Sequence, residues 1–521
     1  MTTSPQNHDL ISTLNRLAAS AALAFAVVLV SAVVMPQAAH AQTVITLYSF
    51  CLQGGCPSGN FPESAPVQGI DGNFYGTAPN GGANNNASLC KIGCGTVYKI
   101  TAAGALTTLY SFCSFTNCAD GFGPIASPVL ATDGNFYGTT PYGGTGSNCS
   151  TDFTLYGCGT VFKITPKGKL TTIYSFCSLA NCAEGTSPQA SLVQGVDGNL
   201  YGTAQFGGAN GKGTVFRITP SGTLTTLYSF CAVFVVNCND GAEPGVGLVQ
   251  ATNGNFYGST MGGQHNDGTI FEITPAGTLS TLHTFHGAAD GQQPSALRLA
   301  SDGKLYGTTF AGGAGGSGTV FSMTLSGTFT TLYNFCTVSG CSDGFDPSYG
   351  VVPATDGNLY GTDGGGPNRG GDLFEITPSG TFTTLYSFCA QSNCTDGFQP
   401  VTMTQSTNGN FYGTTNVGGT NGDGTVFSLS TGLGQFVKTV PAGATVGKRV
   451  GILGTDPHRR NQRHLQRNAV HIHRSIEYLD YHHRTGRRNH WHGRSGNTQR
   501  HAYKQRNVCG NSVKAIRKIA N

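Results

Sequence analysis

The chain is poor in the features that mark helical, membrane-embedded and well-known enzymatic proteins. Only 10% of its 521 residues are charged, and no stretch shows the period of an amphipathic helix. Beyond residue 41, no apolar run approaches the length of a membrane span. No G-x-S-x-G, H-E-x-x-H or phosphate-binding loop stands in a suitable strand-to-helix context. These absences disfavour a helical fold and leave the chain without a recognisable catalytic motif.

What the sequence has instead is a repeat. Variants of DGNFYGT begin at Asp71, Asp133, Asp197, Asn253, Asp302, Asp356 and Asn408. The second copy shows four strand-like pieces in order, SPVLAT, NFYGTT, GTVFKIT and LTTIYSF, joined by Gly-containing turns. Successive copies start 49 to 64 residues apart, which suits a four-stranded antiparallel propeller blade of roughly 40–50 residues plus loops. The sequence therefore predicts an all-β fold, a seven-bladed β-propeller over residues 42–431.

The two ends of the repeat array predict how the propeller closes. An isolated fourth-strand motif, ITLYSF, stands at 45–50, and the last unit stops after its third strand, GTVFSLS, at 424–430. Together they make one complete blade, which removes the sheet edges that an open array would expose. We therefore expect the N-terminal strand to close the ring.

The N-terminus resembles an export signal. Arg16 precedes an apolar stretch from Leu17 to Met35, and a small-residue pattern then predicts cleavage between Ala41 and Gln42. By length alone the stretch could also be an uncleaved anchor. We expect residues 1–41 to be removed, which leaves no membrane span and places the protein in the secreted, periplasmic or cell-surface fraction. We expect the mature protein to be a monomer.

Cysteine spacing fits an oxidising compartment. Six close pairs follow fourth strands: Cys51 with Cys56, Cys113 with Cys118, Cys177 with Cys182, Cys231 with Cys238, Cys336 with Cys341, and Cys389 with Cys394. Two more, Cys90 with Cys94 and Cys149 with Cys158, bracket insertions before third strands, and Cys509 is left over. In an exported chain, pairs this close predict disulfide loops. Zinc is the competing interpretation, but no His accompanies the pairs, so we expect no metal and no other cofactor.

A second motif follows the fourth strand of each of six units: an Asp or Glu, a Gly and, three residues later, a Pro. The acidic members are Asp120, Glu184, Asp240, Asp290, Asp343 and Asp396. These carboxylates could line a pore or hold cations, or they could cap turns. The D-x-D-x-D-G calcium pattern is absent, so turn capping is the favoured interpretation.

GTVFKITPKG followed by LTTIYSF, with DGNFYGTT and the paired-Gly loops, resembles the GloVer tandem-repeat family of exported bacterial proteins over about residues 42 to 431. The resemblance implies fold and compartment, but no known catalytic residues or substrate. The fifth unit departs from the pattern, with His283-Thr284-Phe285 in place of Tyr-Ser-Phe and no cysteine pair. Residues 432–456 resemble the opening of an IPT/TIG immunoglobulin-like domain.

The last segment, residues 457–521, changes character and carries 15 Lys and Arg against two acids, together with nine of the 14 His. It could be an arm for acidic polymers or a metal-binding tract that uses His471, His473, His482, His483, His490 and His492. We favour translation out of frame. Shifting permitted codons of PHRRNQRHLQRN by one base yields LTGATSVTFNG, which continues a strand pattern. We therefore expect a disordered tail and no specific nucleic-acid binding.

Two classes of function remain. Near-identical blades offer many similar shallow sites, which favours a non-enzymatic binding or surface-attachment scaffold for a glycan or a cell-surface protein. The alternative is a carbohydrate-active enzyme, a glycosidase or lyase, with carboxylates in the propeller funnel. Its candidate acids are Glu63, Glu184, Glu243, Glu272 and Glu375. No spacing pairs these acids, so enzymatic activity is the less favoured hypothesis.

Overall fold

The computed structural model describes residues 42–52, 55–86, 89–146, 158–232, 238–263, 266–440 and 451–453. The predicted signal peptide, Cys149, Cys509 and the basic tail lie outside these residues. Within them, no helix has the length and apolar character needed to cross a membrane.

The described chain forms seven blades of antiparallel strands, as predicted. The N-terminal strand is β1 (Thr43–Ser49). Blade 1 contains β2 (Val67–Gln68), β3 (Phe74–Ala78), β4 (Thr96–Ile100) and β5 (Leu106–Ser111). Blade 2 contains β6 (Val129–Leu130), β7 (Phe136–Thr140), β8 (Thr160–Ile164) and β9 (Leu170–Ser175). Blade 3 contains β10 (Val193–Gln194), β11 (Leu200–Ala204), β12 (Thr214–Ile218) and β13 (Leu224–Ser229). Blade 4 contains β14 (Val249–Gln250), β15 (Phe256–Thr260), β16 (Thr269–Ile273) and β17 (Leu279–Thr284).

The remaining blades vary slightly. In blade 5 the first strand is split into β18 (Gln292–Pro294) and β19 (Arg298–Leu299), followed by β20 (Leu305–Ala311), β21 (Thr319–Met323) and β22 (Phe329–Asn334). Blade 6 contains β23 (Val351–Pro353), β24 (Leu359–Asp363), β25 (Asp372–Ile376) and β26 (Phe382–Ser387). Blade 7 contains β27 (Phe398–Gln405), β28 (Phe411–Val417) and β29 (Thr425–Ser430). Short 3-10 turns follow four fourth strands, at Thr116–Cys118, Ala180–Cys182, Ser339–Cys341 and Ser392–Cys394.

The N-terminal strand completes blade 7, which confirms the predicted closure. Strand β1 pairs antiparallel with β29, in a register that runs from Thr43 opposite Ser430 to Ser49 opposite Thr425. The sheet order is β1-β29-β28-β27, so the two ends of the repeat array share one blade. The outer edge of β29 is therefore paired.

The first strands of the blades lie nearest the axis of the ring. First strands of successive blades approach one another directly in four places: β2 and β6, β14 and β19, β19 and β23, and β23 and β27. A glutamine in this strand reaches the first turn of the preceding blade: Gln194 accepts from the Thr132 N–H, and Gln250 from the Val196 N–H, both at 2.9 Å. Gln68 makes the same contact across the closure, accepting from the Thr407 N–H at 3.0 Å.

Aromatic side chains fill the space between blades. Where the next blade carries Phe at the start of its second strand, the Tyr of the FYG or LYG strand packs against it, as in Tyr75 on Phe136 at 4.1 Å and, across the closure, Tyr412 on Phe74 at 3.9 Å. The Phe after each fourth strand meets the next third strand, as in Phe230 against Phe271 at 5.2 Å. All of these rings are almost fully buried. The Phe-Tyr motif is therefore core packing.

The chain continues past blade 7 into a short hairpin, β30 (Lys438–Val440) with β31 (Gly451–Leu453). The Phe436 N–H donates to the Thr407 carbonyl at 2.9 Å, and Leu453 is buried in the apolar cluster that includes Leu130 and Phe136. This hairpin is the part of the expected IPT/TIG-like start that the structure describes. It packs against the propeller, and no immunoglobulin-like sandwich is formed by the described residues.

Candidate binding face

The two ends of the propeller carry different connections. In each blade, short turns join the first strand to the second and the third strand to the fourth at one end. The longer connections from the second strand to the third, and from one blade to the next, lie at the other end. We call this second end the loop face. The cysteine pairs and the Asp/Glu-Gly motifs of the described residues belong to it.

The disulfide predictions are confirmed for the pairs that can be described. Seven bridges join the six post-strand pairs and Cys90 with Cys94. Cys158 is also disulfide-bonded, and its expected partner Cys149 lies outside the described residues. Both cysteines of every post-strand pair have left-handed backbone, with φ between 49° and 61°. Such backbone is costly for residues other than Gly, and the bridges hold the loops in it.

The repeated carboxylates cap turns, as predicted. Asp120 accepts hydrogen bonds from the Tyr110 hydroxyl at 2.7 Å and the Ser114 N–H at 2.9 Å. Glu184 is fully buried and accepts from the Ser178 N–H at 2.6 Å. In each case the acid ties the fourth strand to the loop that follows it. At the end of blade 4, whose fourth strand is not followed by a cysteine pair, His283 replaces the tyrosine, and its Nε2 lies 2.8 Å from Asp290 Oδ2.

A ring of backbone hydrogen bonds joins neighbouring blades on the loop face. In each blade the residue before the repeat proline has positive φ, and its N–H donates to a carbonyl in the preceding blade at 2.8 to 3.0 Å. The seven residues are Phe61, Gly123, Ser187, Glu243, Gln293, Asp346 and Gln399. Six are not glycine, with φ of 51° to 58°, a conformation that costs of order 1–3 kcal/mol per residue. We call this set the pre-proline ring.

The central opening of the loop face contains a carboxyl and a phenol from non-adjacent blades. Glu63 leads into blade 1 and Tyr349 into blade 6, with blade 7 between them. Desolvation raises the pKa of Tyr349, and the negative charge of Glu63 raises it further. Blade 7 lies between the two blades, so we infer that both side chains face the axis of the ring. Glu63 keeps an accessible side chain although protein surrounds it, and desolvation raises its pKa too.

Apolar and amide side chains lie on the same face of the propeller. Met261 and Phe310 occupy equivalent positions at the ends of the second strands of blades 4 and 5, and they are 37% and 41% exposed. In blade 3 the equivalent residue is Gln205, which accepts a hydrogen bond from Gln189. We call Glu63, Tyr349, Met261, Phe310 and Gln205 the mouth cluster. It combines hydrogen-bonding groups with exposed apolar surface, as ligand pockets do.

The other four candidate acids are engaged elsewhere. Glu184 caps its turn, as described above, and Glu243 lies 3.7 Å from Lys212 at the surface. Glu272 accepts from the Tyr257 hydroxyl at 2.8 Å, and Glu375 accepts from the Asn358 amide at 2.5 Å. Both of these bonds are at the end opposite the loop face. The structure thus leaves Glu63 as the member of the predicted pool that belongs to the mouth cluster.

Two cations lie in confined positions near the axis. Arg298, in the first strand of blade 5, has an accessible side chain, and surrounding protein lowers its pKa through desolvation. It forms no ion pair with any described residue. Lys438 of the C-terminal hairpin donates to the Gln405 carbonyl at 3.3 Å, and desolvation lowers its pKa to about 8.

The sequence did not single out Tyr349 or Arg298. Both occupy positions where the other repeats carry unrelated residues, so no motif marks them. Their departure from the repeat was the one available signal, because a residue that is not required by the repeated structure can be used for binding.

The closed ring of repeat-built blades defines a seven-bladed β-propeller assembled from tandem units. The chain belongs to the Gloeobacter/Verrucomicrobia repeat family, whose model matches residues 33–235 and again 231–427. This finding confirms the family that the motifs indicated.

No curated protein matches the chain significantly. Among solved structures it is similar to a gluconolactonase candidate, with 11% identity, 59% of this chain and 89% of that chain covered, and a TM-score of 0.34. A 6-phosphogluconolactonase candidate from Bacteroides uniformis has 16% identity, coverages of 63% and 84%, and a TM-score of 0.38. A luciferin-regenerating enzyme has 13% identity, coverages of 59% and 92%, and a TM-score of 0.35. At these identities and TM-scores, the similarities give no information about the activity of this chain.

Proposed function

We propose that this protein is an exported, non-enzymatic propeller that binds a glycan through the mouth cluster on its loop face. The observation that carries the proposal is that the negative charge of Glu63 raises the pKa of Tyr349, which indicates that side chains of two non-adjacent blades lie near each other. No other charged group of the described chain pairs with Glu63 in an ion pair. Its carboxyl is therefore available to a ligand.

The chemistry of the cluster fits a polyhydroxylated ligand. A carboxyl group and a phenol can each accept and donate hydrogen bonds to sugar hydroxyls, and Gln205 adds an amide. Exposed Met261 and Phe310 offer apolar surface for the C–H faces of a sugar ring. The disulfide loops and the pre-proline ring hold the surrounding backbone in place, which lowers the entropic cost of binding.

The proposal can be tested by applying labelled full-length mature protein to an immobilised panel of bacterial and plant oligosaccharides, followed by titration with the best soluble binder. Hydrogen bonds to a charged group contribute about 1.5–3 kcal/mol, so Glu63→Gln should weaken binding about 10- to 100-fold. Tyr349→Phe should weaken it less. Glu272→Gln, at the opposite end, is the matched control and should bind like the wild type.

Equal binding by wild type, E63Q and Y349F would refute this site. The competing hypothesis, a carbohydrate-active enzyme, is supported by the raised pKa of Glu63, since a general acid needs such a shift. The same panel distinguishes the two. Release of new reducing ends, or of unsaturated sugars, by wild type but not by E63Q would favour catalysis; unchanged oligosaccharides with measurable affinity favour binding.

A further inference from the structure

Blade 6 departs from the other blades at a fully buried pair of positions. In four blades, the fifth residue of the second strand and the first of the third strand are both Thr, with hydroxyl oxygens 2.8 to 3.0 Å apart: Thr140 with Thr160, Thr260 with Thr269, Thr309 with Thr319, and Thr415 with Thr425. In blade 6 the two positions are Asp363 and Asp372, which lie directly opposite each other. Two neutral hydroxyls that satisfy each other are thus replaced by two carboxyls.

These carboxyls are buried without enough partners. Asp363 is 2% exposed and Asp372 is fully buried. Asp363 Oδ1 accepts from the Gly365 N–H at 2.8 Å, but its Oδ2 and both oxygens of Asp372 lack a hydrogen bond of normal geometry. The Ser387 hydroxyl comes near enough to lower the pKa of Asp372 somewhat, yet burial outweighs it and raises that pKa to about 6.

The surroundings add negative charge and no compensating cation. Burial raises the pKa of Asp363 well above its usual range, the charges of Asp372 and Asp343 raise it further, and the Gly365 and Asp372 N–H groups oppose the shift. Asp343 caps its turn through one oxygen, and its Oδ1 is buried without a partner. No Lys, Arg or His of the described chain forms an ion pair with any of the three. Burying uncompensated carboxylates is strongly unfavourable.

The backbone around the pair is shaped to fit it closely. A Cβ on Gly344 would lie 2.6 Å from the carboxyl carbon of Asp363, and a Cβ on Gly366 would collide with the Asp372 carboxyl. Gly366 belongs to the glycine-rich segment 364–371, whose residues 367–369 are exposed. The site therefore lies just beneath a loop that reaches solvent, which provides a route of entry.

We propose that Asp363 and Asp372 form a binding site for one calcium ion, with Asp343 adding negative charge beside it. Two carboxylates neutralise a divalent cation, and oxygen-only ligands suit a hard ion such as Ca²⁺ rather than Zn²⁺. Exported modules bind Ca²⁺ with dissociation constants of about 0.1–1 mM, a range that extracellular calcium can fill. Occupancy would fix segment 364–371 on the loop face. This inference does not depend on the glycan proposal.

The test uses full-length mature protein stripped with EDTA and titrated calorimetrically with CaCl₂ at pH 7.5. We expect one Ca²⁺ per chain with a dissociation constant of about 0.1–1 mM and a melting temperature that rises with calcium. The double variant D363T/D372T restores the pair that four sister blades use, so it should fold, lose the binding heat and lose the calcium-dependent rise. Glu272→Gln is the matched control and should bind Ca²⁺ like the wild type.

Two outcomes would overturn the proposal. One is calcium binding that persists in D363T/D372T, which would place the ion elsewhere. The other is absence of binding in the wild type. In that case the two carboxyls are neutralised by protons instead of calcium. The wild type should then gain stability relative to D363T/D372T as the pH falls from 7.5 to 5, because carboxyls with a raised pKa in the folded protein favour the protonated form.

Discussion

Closure of the ring can be tested at a single phenylalanine. Phe50 follows β1, is fully buried and packs edge-on against Tyr98 of blade 1 with ring centroids 5.4 Å apart. Phe230 occupies the equivalent place between blades 3 and 4, is equally buried and lies 5.2 Å from Phe271. The substitutions Phe50→Ala and Phe230→Ala therefore remove the same contact at the closure and at an internal interface.

The expected magnitude follows from the burial. Truncating a fully buried Phe to Ala costs about 3–5 kcal/mol. If the N-terminal strand closes the ring, both variants lose free energy of unfolding within that range. If the strand only rested on the surface, F50A would cost much less than F230A, because a terminal strand could detach without disturbing the other blades.

The assay is urea unfolding of the oxidised mature protein, followed by tyrosine fluorescence and far-ultraviolet circular dichroism, with light scattering to monitor association. Deleting residues 43–50 should have the stronger effect, since it also exposes the edge of β29 and so favours self-association. A cost below about 1 kcal/mol for F50A beside the full cost for F230A, or a monodisperse deletion variant with an unchanged melting temperature, would refute the closure.

Three further predictions concern chemistry rather than architecture. Intact-mass analysis of exported protein should show sixteen oxidised cysteines and, where the tail is retained, Cys509 alone open to alkylation; free thiols or stoichiometric zinc would contradict the disulfide scheme. Resequencing the coding DNA near Asp456 and Pro457 should show that dropping one base yields codons for LTGATSVTFNG; an early stop in that frame would restore the basic arm as a functional hypothesis. Burial lowers the pKa of His283, so the folded protein favours the neutral ring. The stability that His283 contributes is therefore present above its pKa in the unfolded chain and is lost as the pH falls through its pKa in the folded protein. His283→Tyr, which restores the sister-blade partner for Asp290, should therefore lose less stability than wild type between pH 7 and 5, and equal losses in the two melting curves would count against this assignment.

The repeat made the architecture predictable. Each blade encodes its own strands and turns, so a strand assignment that is ambiguous in one unit can be settled from the other six. The incomplete units at the two ends of the array specify the closure. The capping role of the acids was predictable for a similar reason, since an Asp-Gly or Glu-Gly pair follows six of the seven fourth strands. Asp120 and its counterparts cap the turn that these strands share.

The candidate site could not be predicted in the same way. Glu63 and Tyr349 are 286 residues apart in the sequence, and only the curvature of the ring brings them to one opening. The influence of the Glu63 charge on Tyr349 depends on how many blades close the ring, and no local sequence pattern specifies that number. The pair of Asp363 and Asp372 could not be predicted for another reason. Each residue taken alone is a single departure from the Thr of other repeats, and only the register of β24 against β25 shows that the two face each other.

The pre-proline ring has a consequence for how such proteins diversify. Each of its members is held to the preceding blade by the same backbone N–H hydrogen bond, which does not depend on the identity of the side chain. Phe, Gly, Ser, Glu, Gln and Asp all occur there within one molecule. Recognition can therefore change by single substitutions around the rim while the scaffold stays intact. For protein engineering, these seven positions form a ready set of randomisation sites that a binder library could sample together without redesigning a single strand.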